Sequence, residues 1–176
     1  MKIQDPKSRK KIAVLVEEAY QDLEVWYPIL RFREAGFTVV SVGTGSQAVY
    51  KGKAGYPITP DTTVDAVKAA DLAALIVPGG WAPDFLRRSQ VCVQLVRDCD
   101  AQKKMIGAIC HGGWLLCSAG ILKGRTMTSF SAIKDDCVNA GATWVDKEVV
   151  VDGNLITARK PDDLPAFCKA ILEKIL

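Results

Sequence analysis

The chain has one histidine, His111, in 176 residues. Its six cysteines are Cys92, Cys99, Cys110, Cys117, Cys137 and Cys168, and no two stand in a C-x-x-C spacing. Without that spacing and with a single histidine, a Cys/His zinc site is not expected, and no metal is expected. No apolar run approaches the ~20 residues of a membrane-spanning helix, which argues against a membrane protein. The basic segment 1–11 lacks an apolar stretch and does not read as a secretory signal. The net charge is only +3 and no basic-aromatic pattern accompanies it, so nucleic acid is not an expected partner. No repeat, low-complexity tract or linker divides the chain. These absences predict a tail over residues 1–9 and one domain over 10–176, cytoplasmic and with reduced thiols. An apolar content of 49% and a charged content of 24% suit a soluble domain with a proper core.

What is present alternates. Lys11–Val16, Phe37–Val42, Leu72–Val77 and Met105–Ile109 read as short apolar strands. Helices are predicted over Leu23–Ala35, Asp65–Ala70, Trp114–Ala119, Ala132–Ala140 and Asp162–Leu176. Asp84–Gln102 holds one helix or two, since Ser89 can cap a second. A small hairpin is expected around Val49–Tyr56 and a short strand at Thr126–Ser129. Val145–Val151 and Asn154–Ala158 read as strands joined at Asp152-Gly153. The alternation implies a doubly wound, mostly parallel α/β sheet with ligands at the carboxyl ends of its strands. Five cysteines fall in helix-like stretches and read as packing residues.

Cys110 does not. It ends the strand Met105–Ile109, and Gly112-Gly113 and a helix follow, which is the strand, turn, helix geometry of a nucleophile elbow. The positive end of that helix favours a thiolate, the nucleophilic form of cysteine. Gly112 and Gly113 leave backbone N–H groups uncovered for an oxyanion. A buried structural cysteine is the plainer alternative.

Other candidates follow the first and third strands. Glu24 is either a first-turn helix acid or a carboxyl sharing a proton with Cys110, in which case its pKa rises. His111 is a general acid/base or a turn residue. Adjacent side chains diverge, so it need not reach the sulfur. Asp84 either orients His111 or caps a helix. Trp81 is a pocket wall or a subunit contact. Lys53 binds an anion or is a solvated loop charge. Glu17, Glu18 and Asp22 read as solvated.

Ala108-Ile109-Cys110-His111-Gly112 resembles the elbow of the DJ-1/PfpI superfamily, in particular its intracellular protease I branch. Asp22-Leu23-Glu24-Val25-Trp26-Tyr27-Pro28, Gly52–Tyr56, Val77–Asp84, Thr128-Ser129-Phe130, Ile133–Asp136 and Val149–Leu155 resemble it in the same order, over Lys11–Leu176. The resemblance implies a flavodoxin-like fold with Cys110 as nucleophile, Glu24 as its proton partner and His111 as the histidine of a triad. The triad's acid would be Asp84 of a neighbouring subunit, so a dimer or larger assembly is expected. It places oxyanion donors near Gly80 and His111, and Lys53 near the site. Phe130 stands where the branch often has tyrosine, Trp81 where arginine is frequent, and Gln21 where a glutamate occurs. Asp84 is one methylene shorter than the branch's glutamate. The pocket is therefore more apolar than the branch pattern.

Three activities follow as expectations. The first is cofactor-free conversion of small aldehydes, of the glyoxalase or deglycase kind, which needs only a thiolate and a proton shuttle. The second is peptide hydrolysis by the same Cys110. The third is redox sensing without turnover.

Overall fold

The structure is a computed structural model and describes residues 11–176. The expected tail over 1–9 lies outside the described residues. β1 (Lys11–Val16) is buried from Ile12 onward, which only a strand flanked and covered on both faces can be. It lies inside a sheet with β2 (Val39–Gly43), β6 (Leu72–Val77), β7 (Met105–Ile109), β10 (Val149–Asp152), β11 (Leu155–Ala158) and the two-residue β5 (Thr62–Thr63). Among the described residues the order of this seven-stranded sheet is β10-β11-β7-β6-β1-β2-β5. All neighbours are parallel except the β10–β11 hairpin, which turns at Asp152-Gly153 as expected. The chain runs from β1 to β2 on one side and resumes at β6 on the other. The crevice where the winding reverses therefore lies above the carboxyl ends of β1 and β6.

Helices cover the sheet: α1 (Asp22–Glu34), α2 (Ala82–Leu86), α3 (Gln90–Ala101), α4 (Gly113–Ala119), α5 (Lys134–Asn139) and α6 (Leu164–Ile175). α1 buries Val25, Ile29 and Phe32. Each such side chain contributes about 1.5–3 kcal/mol relative to exposure. α6 crosses β7 closely because residue 107 is glycine. A Cβ there would lie 2.7 Å from Ile171 and 2.8 Å from Phe167. Ser89 caps α3 by accepting from the Cys92 N–H, so Asp84–Gln102 is two helices. Gly120 ends α4 at φ +71°, a conformation glycine adopts without cost.

The hairpin expected near Val49–Tyr56 is β3 (Tyr50–Lys51) with β4 (Pro57–Ile58). Three local expectations change. The helix over Asp65–Ala70 is two 3₁₀ turns, because Val67 and Lys68 are extended between the buried Val64 and Ala69. The strand at Thr126–Ser129 shortens to β8 (Thr126–Met127). It pairs with β9 (Thr143–Trp144) in a separate sheet, and the hairpin strand expected from Val145 begins only at Val149. Among the described residues no helix is long and apolar enough to cross a membrane.

Candidate active site

Three loops leave the carboxyl ends of β1, β6 and β7, and backbone hydrogen bonds tie the first to the second and to the hairpin that carries Lys53. The β1 loop is the stitch. Trp81 N–H donates to the Ala19 carbonyl at 2.9 Å, Gln21 N–H to the Gly79 carbonyl at 3.2 Å, and Lys53 N–H to the Tyr20 carbonyl at 2.8 Å. Ala19 takes φ +57° to do this. Gly80 sits at φ +74°, and a Cβ on it would lie 2.4 Å from the Gln21 nitrogen. Only glycine fits there.

Glu24 is placed by its helix. Gln21 caps α1, its side chain accepting from Leu23 N–H at 2.6 Å and Glu24 N–H at 3.2 Å. The first turn then carries Glu24 into the crevice, where it is fully buried. Glu24 Oε2 accepts from Gly79 N–H at 2.7 Å. Among the described residues Oε1 has no nitrogen or oxygen partner. The group beside the carboxyl is the Cys110 thiol. Gly79 makes this possible, since a Cβ there would lie 2.6 Å from Glu24 Oε2 and 2.7 Å from the Cys110 Cβ.

Cys110 is 7% exposed and takes φ +60°, a region a non-glycine residue occupies only when its surroundings impose it. The expectation of a thiolate favoured by the helix end alone does not hold. Burial pushes the Cys110 thiol up to about 12, with the neighbouring Glu24 charge adding to the rise. Only the N–H groups of His111 and Gly80 oppose it. Burial likewise pushes Glu24 up to about 7, against the Gly79 N–H and the Cys110 contact. Two neighbouring groups that both resist ionisation hold one proton between them across the interval separating these values. The Gly79 N–H favours that proton on sulfur, and the amides of His111 and Gly80 favour it on Glu24.

His111 reaches the sulfur, which its adjacency alone did not require: Nδ1 lies 3.2 Å from Sγ. The Cys110–Gly112 turn is 3₁₀, which swings the imidazole back over its neighbour. Burial lowers the His111 pKa and the Lys53 charge lowers it further, so the ring is neutral at pH 7. Aromatic rings surround it. Phe130 stacks on it at 5.1 Å, Trp114 meets it edge-on at 5.0 Å and Trp81 lies at 5.9 Å. Trp81 and Trp114 stack on each other at 6.4 Å. Trp81 is 52% exposed and Phe130 38%. Lys53 Nζ stands 6.0 Å from the Trp81 ring centre.

Asp22 is not a solvated charge. Its carboxylate accepts from Ala54 N–H at 2.9 Å and Tyr56 N–H at 3.3 Å and so holds the loop that carries Lys53. Glu17 is also buried, accepting from the hydroxyls of Thr44 and Ser46. Asp84 does not meet His111 within one protomer. It pairs with Arg88, four residues on and just past the end of α2. Gly112 is buried. Its glycine is required because a Cβ would lie 2.6 Å from the Val77 carbonyl oxygen. Sequence reasoning passed over Gly79 and Trp114. The double glycine after β6 was the signal for the first. For the second it was the spacing of three residues from His111, which puts both on one face of the turn.

Comparison with known proteins agrees with this geometry. Residues 10–174 match the DJ-1/PfpI family. The protein named deglycase PfpI of Pyrococcus furiosus is 40% identical over 163 residues, 93% of this chain and 98% of that one. Protein/nucleic acid deglycase 2 of Escherichia coli is 43% identical over 165 residues, 93% and 96% of the two chains. Among solved structures, a two-domain protein of Anabaena variabilis with DJ-1/ThiJ/PfpI-like and ferritin-like domains superposes with a TM-score of 0.92 at 41% identity. The match covers 94% of this chain and 48% of that longer one. A buried cysteine elbow with a glutamate beside it, on a flavodoxin-like sheet matched over nearly its whole length, places this chain in the DJ-1/PfpI family.

Proposed function

We propose that the protein is a cofactor-independent enzyme that uses Cys110 to transform small reactive aldehydes, in the manner of a glyoxalase or deglycase. One observation carries this reading. Glu24 is a fully buried carboxyl with an oxygen that finds no N–H or O–H partner and with the Cys110 thiol beside it. An unpaired buried oxygen is costly, and a proton shared with sulfur removes the cost. The same proton, moved to Glu24, leaves a thiolate.

The chemistry closes without a cofactor. Cys110 sulfur adds to the aldehyde carbon of a 2-oxoaldehyde such as methylglyoxal. The new alkoxide takes the Glu24 proton and a hemithioacetal results, beside the amides of Gly80 and His111. The Glu24 carboxylate so formed, or neutral His111, removes the proton from that carbon; a proton returns to the adjacent carbonyl carbon, and the hydroxyl proton passes to that carbonyl's oxygen. The thioester so formed is cleaved by water. Methylglyoxal and water become lactate, and Cys110 is regenerated. Trp81, Trp114 and Phe130 give this pocket apolar walls, and Lys53 supplies a positive charge suited to the departing hydroxyacid. The relatives named deglycases support a carbonyl substrate.

Peptide hydrolysis asks more of the site. The departing amine needs a proton from a histidine supported by an acid, and Asp84 is engaged with Arg88. We propose that a second copy completes the site in a dimer or larger assembly, with its Asp84 facing His111. Lactate formation from methylglyoxal tests the reading. Wild type is expected to turn over and Cys110→Ser to be inert. Unchanged turnover in Cys110→Ser would sink it.

A further inference from the structure

Cys117 and Cys137 lie outside the Cys110 site, on α4 and α5. Gly113 and Cys117 are four residues apart on α4 and so share one face. A Cβ on Gly113 would lie 3.2 Å from the Cys137 sulfur. The bare glycine therefore lets α5 settle against α4 and brings the Cys137 sulfur over the face that carries Cys117. Each sulfur lies close enough to the other to shift its ionisation.

Their surroundings differ. Cys137 is fully buried, and its other contact is the Ser129 hydroxyl at 3.9 Å. Cys117 is half-buried. Beside it stands Arg87, anchored on the Ser118 hydroxyl at 2.9 Å. The Cys137 thiol, followed by the Arg87 charge, holds Cys117 below the ordinary thiol value, with burial and Asp136 opposing. Cys117, followed by burial, holds Cys137 well above it. Cys92, Cys99 and Cys168 are each pushed up by burial, to about 11, 12 and 12. Cys117 is thus the reachable thiol with the thiolate character that oxidants select.

We propose that Cys117 and Cys137 form a second oxidisable site, a dithiol that closes to a disulfide under hydrogen peroxide, separate from Cys110. The Cys117 thiolate attacks one peroxide oxygen, becomes a sulfenic acid and releases hydroxide. The Cys137 sulfur then attacks the Cys117 sulfur, the S–S bond forms, and the sulfenic hydroxyl leaves with the Cys137 proton as water. Two thiols are oxidised and one peroxide is reduced to two waters. The link would pin α4, which begins at the elbow, to α5. The segment before α5 already holds the elbow, through Phe130 N–H and the Cys110 carbonyl at 3.2 Å. The proposal does not depend on what Cys110 does.

The experiment is peroxide treatment of the folded chain, alkylation of remaining thiols and peptide mapping, in wild type, Cys110→Ser and Cys117→Ser. The expected product is a Cys117–Cys137 peptide pair lighter by two hydrogens. It appears in wild type and Cys110→Ser, is absent in Cys117→Ser and is reversed by dithiothreitol. Cys117 is half-buried, so its serine variant is expected to retain the wild-type circular dichroism. A Cys117 recovered as free thiol, as sulfinic acid or joined to any other cysteine would overturn the proposal. So would a link that needs Cys110.

Discussion

The two ends of the sheet hold polar clusters of comparable size that are satisfied to different degrees. At the amino ends of β7 and β11, the Arg125 guanidinium donates to the Asp152 carbonyl at 2.9 Å, to Asn154 Oδ1 at 2.9 Å and to Asp100 at 2.5 Å. Asn154 in turn donates to the Lys104 carbonyl at 3.0 Å, and Asp152 accepts from Thr126 N–H at 2.6 Å. At the carboxyl ends, Glu24 has an oxygen with no such partner, Cys110 is held at φ +60°, and aromatic rings face solvent. A satisfied network accounts for itself as structure. A deficit held in place by well-packed surroundings needs another explanation, and reactivity supplies one.

The contrast can be broken most severely at the sulfur. Cys110→Ser is expected to lower lactate formation at least ~10³-fold, about 4 kcal/mol of barrier, because a hydroxyl is a far poorer nucleophile. Its melting temperature should barely move. Loss of folding in place of activity would make Cys110 a packing residue like Cys92, Cys99 and Cys168.

Glu24→Gln comes next. In wild type, alkylation of Cys110 should rise as pH passes about 7, where Glu24 becomes the base of the pair. In the variant that step should vanish, leaving only the rise toward the thiol's own ionisation. At pH 7.5 the rate should fall by about 10²-fold, the scale of a lost general base. Stability should move the other way. The folded value, about 7, lies above the ordinary 4.5, so the folded chain binds the extra proton between them. The stabilisation is complete below 4.5 and lost as pH rises through 7, by about 3 kcal/mol in all. Glu24→Gln should flatten that slope in urea titrations at pH 5 and pH 8. An unchanged slope would mean that Glu24 is not the group responsible.

Arg125→Ala probes the satisfied end. Its pair with Asp100 is partly exposed, at 16% and 22%, so the loss should be about 2 kcal/mol of stability, below that of a fully buried pair. The pH profile of Cys110 alkylation should be untouched. A shifted profile would show that the two clusters are coupled through β7. The smallest effect is expected at the rim. Trp81→Ala should raise KM for a small aldehyde about threefold, below 1 kcal/mol, with kcat and melting temperature nearly constant.

Much of this could be read along the chain. The buried strands announced themselves as unbroken apolar runs, and Asp152-Gly153 marked its hairpin. Cys110 stood out because a strand ends on it and a helix follows. Ser89 and Gly120 acted as the cap and stop that their side chains dictate. Local propensity failed at Asp65–Ala70, where burying both Val64 and Ala69 forces an extended break between two turns. It failed again at Val145–Glu148, where the neighbouring residues 143–144 are drawn to β8, a partner distant in sequence. The resemblance located Glu24 and Lys53 near Cys110, but it did not show how they are held. That required Gln21, Asp22 and the bare backbone of Gly79.

By itself the sequence determined the elements, their order and the elbow, because strand, helix and turn preferences act over a few residues. Only the tertiary structure decided the chemistry of that elbow. The thiol's ionisation depends on a carboxyl 86 positions away in the chain, on amides from two loops and on how much water is shut out. Electrostatics in a buried site are set by distance in space, and the chain reveals that distance only once it has folded.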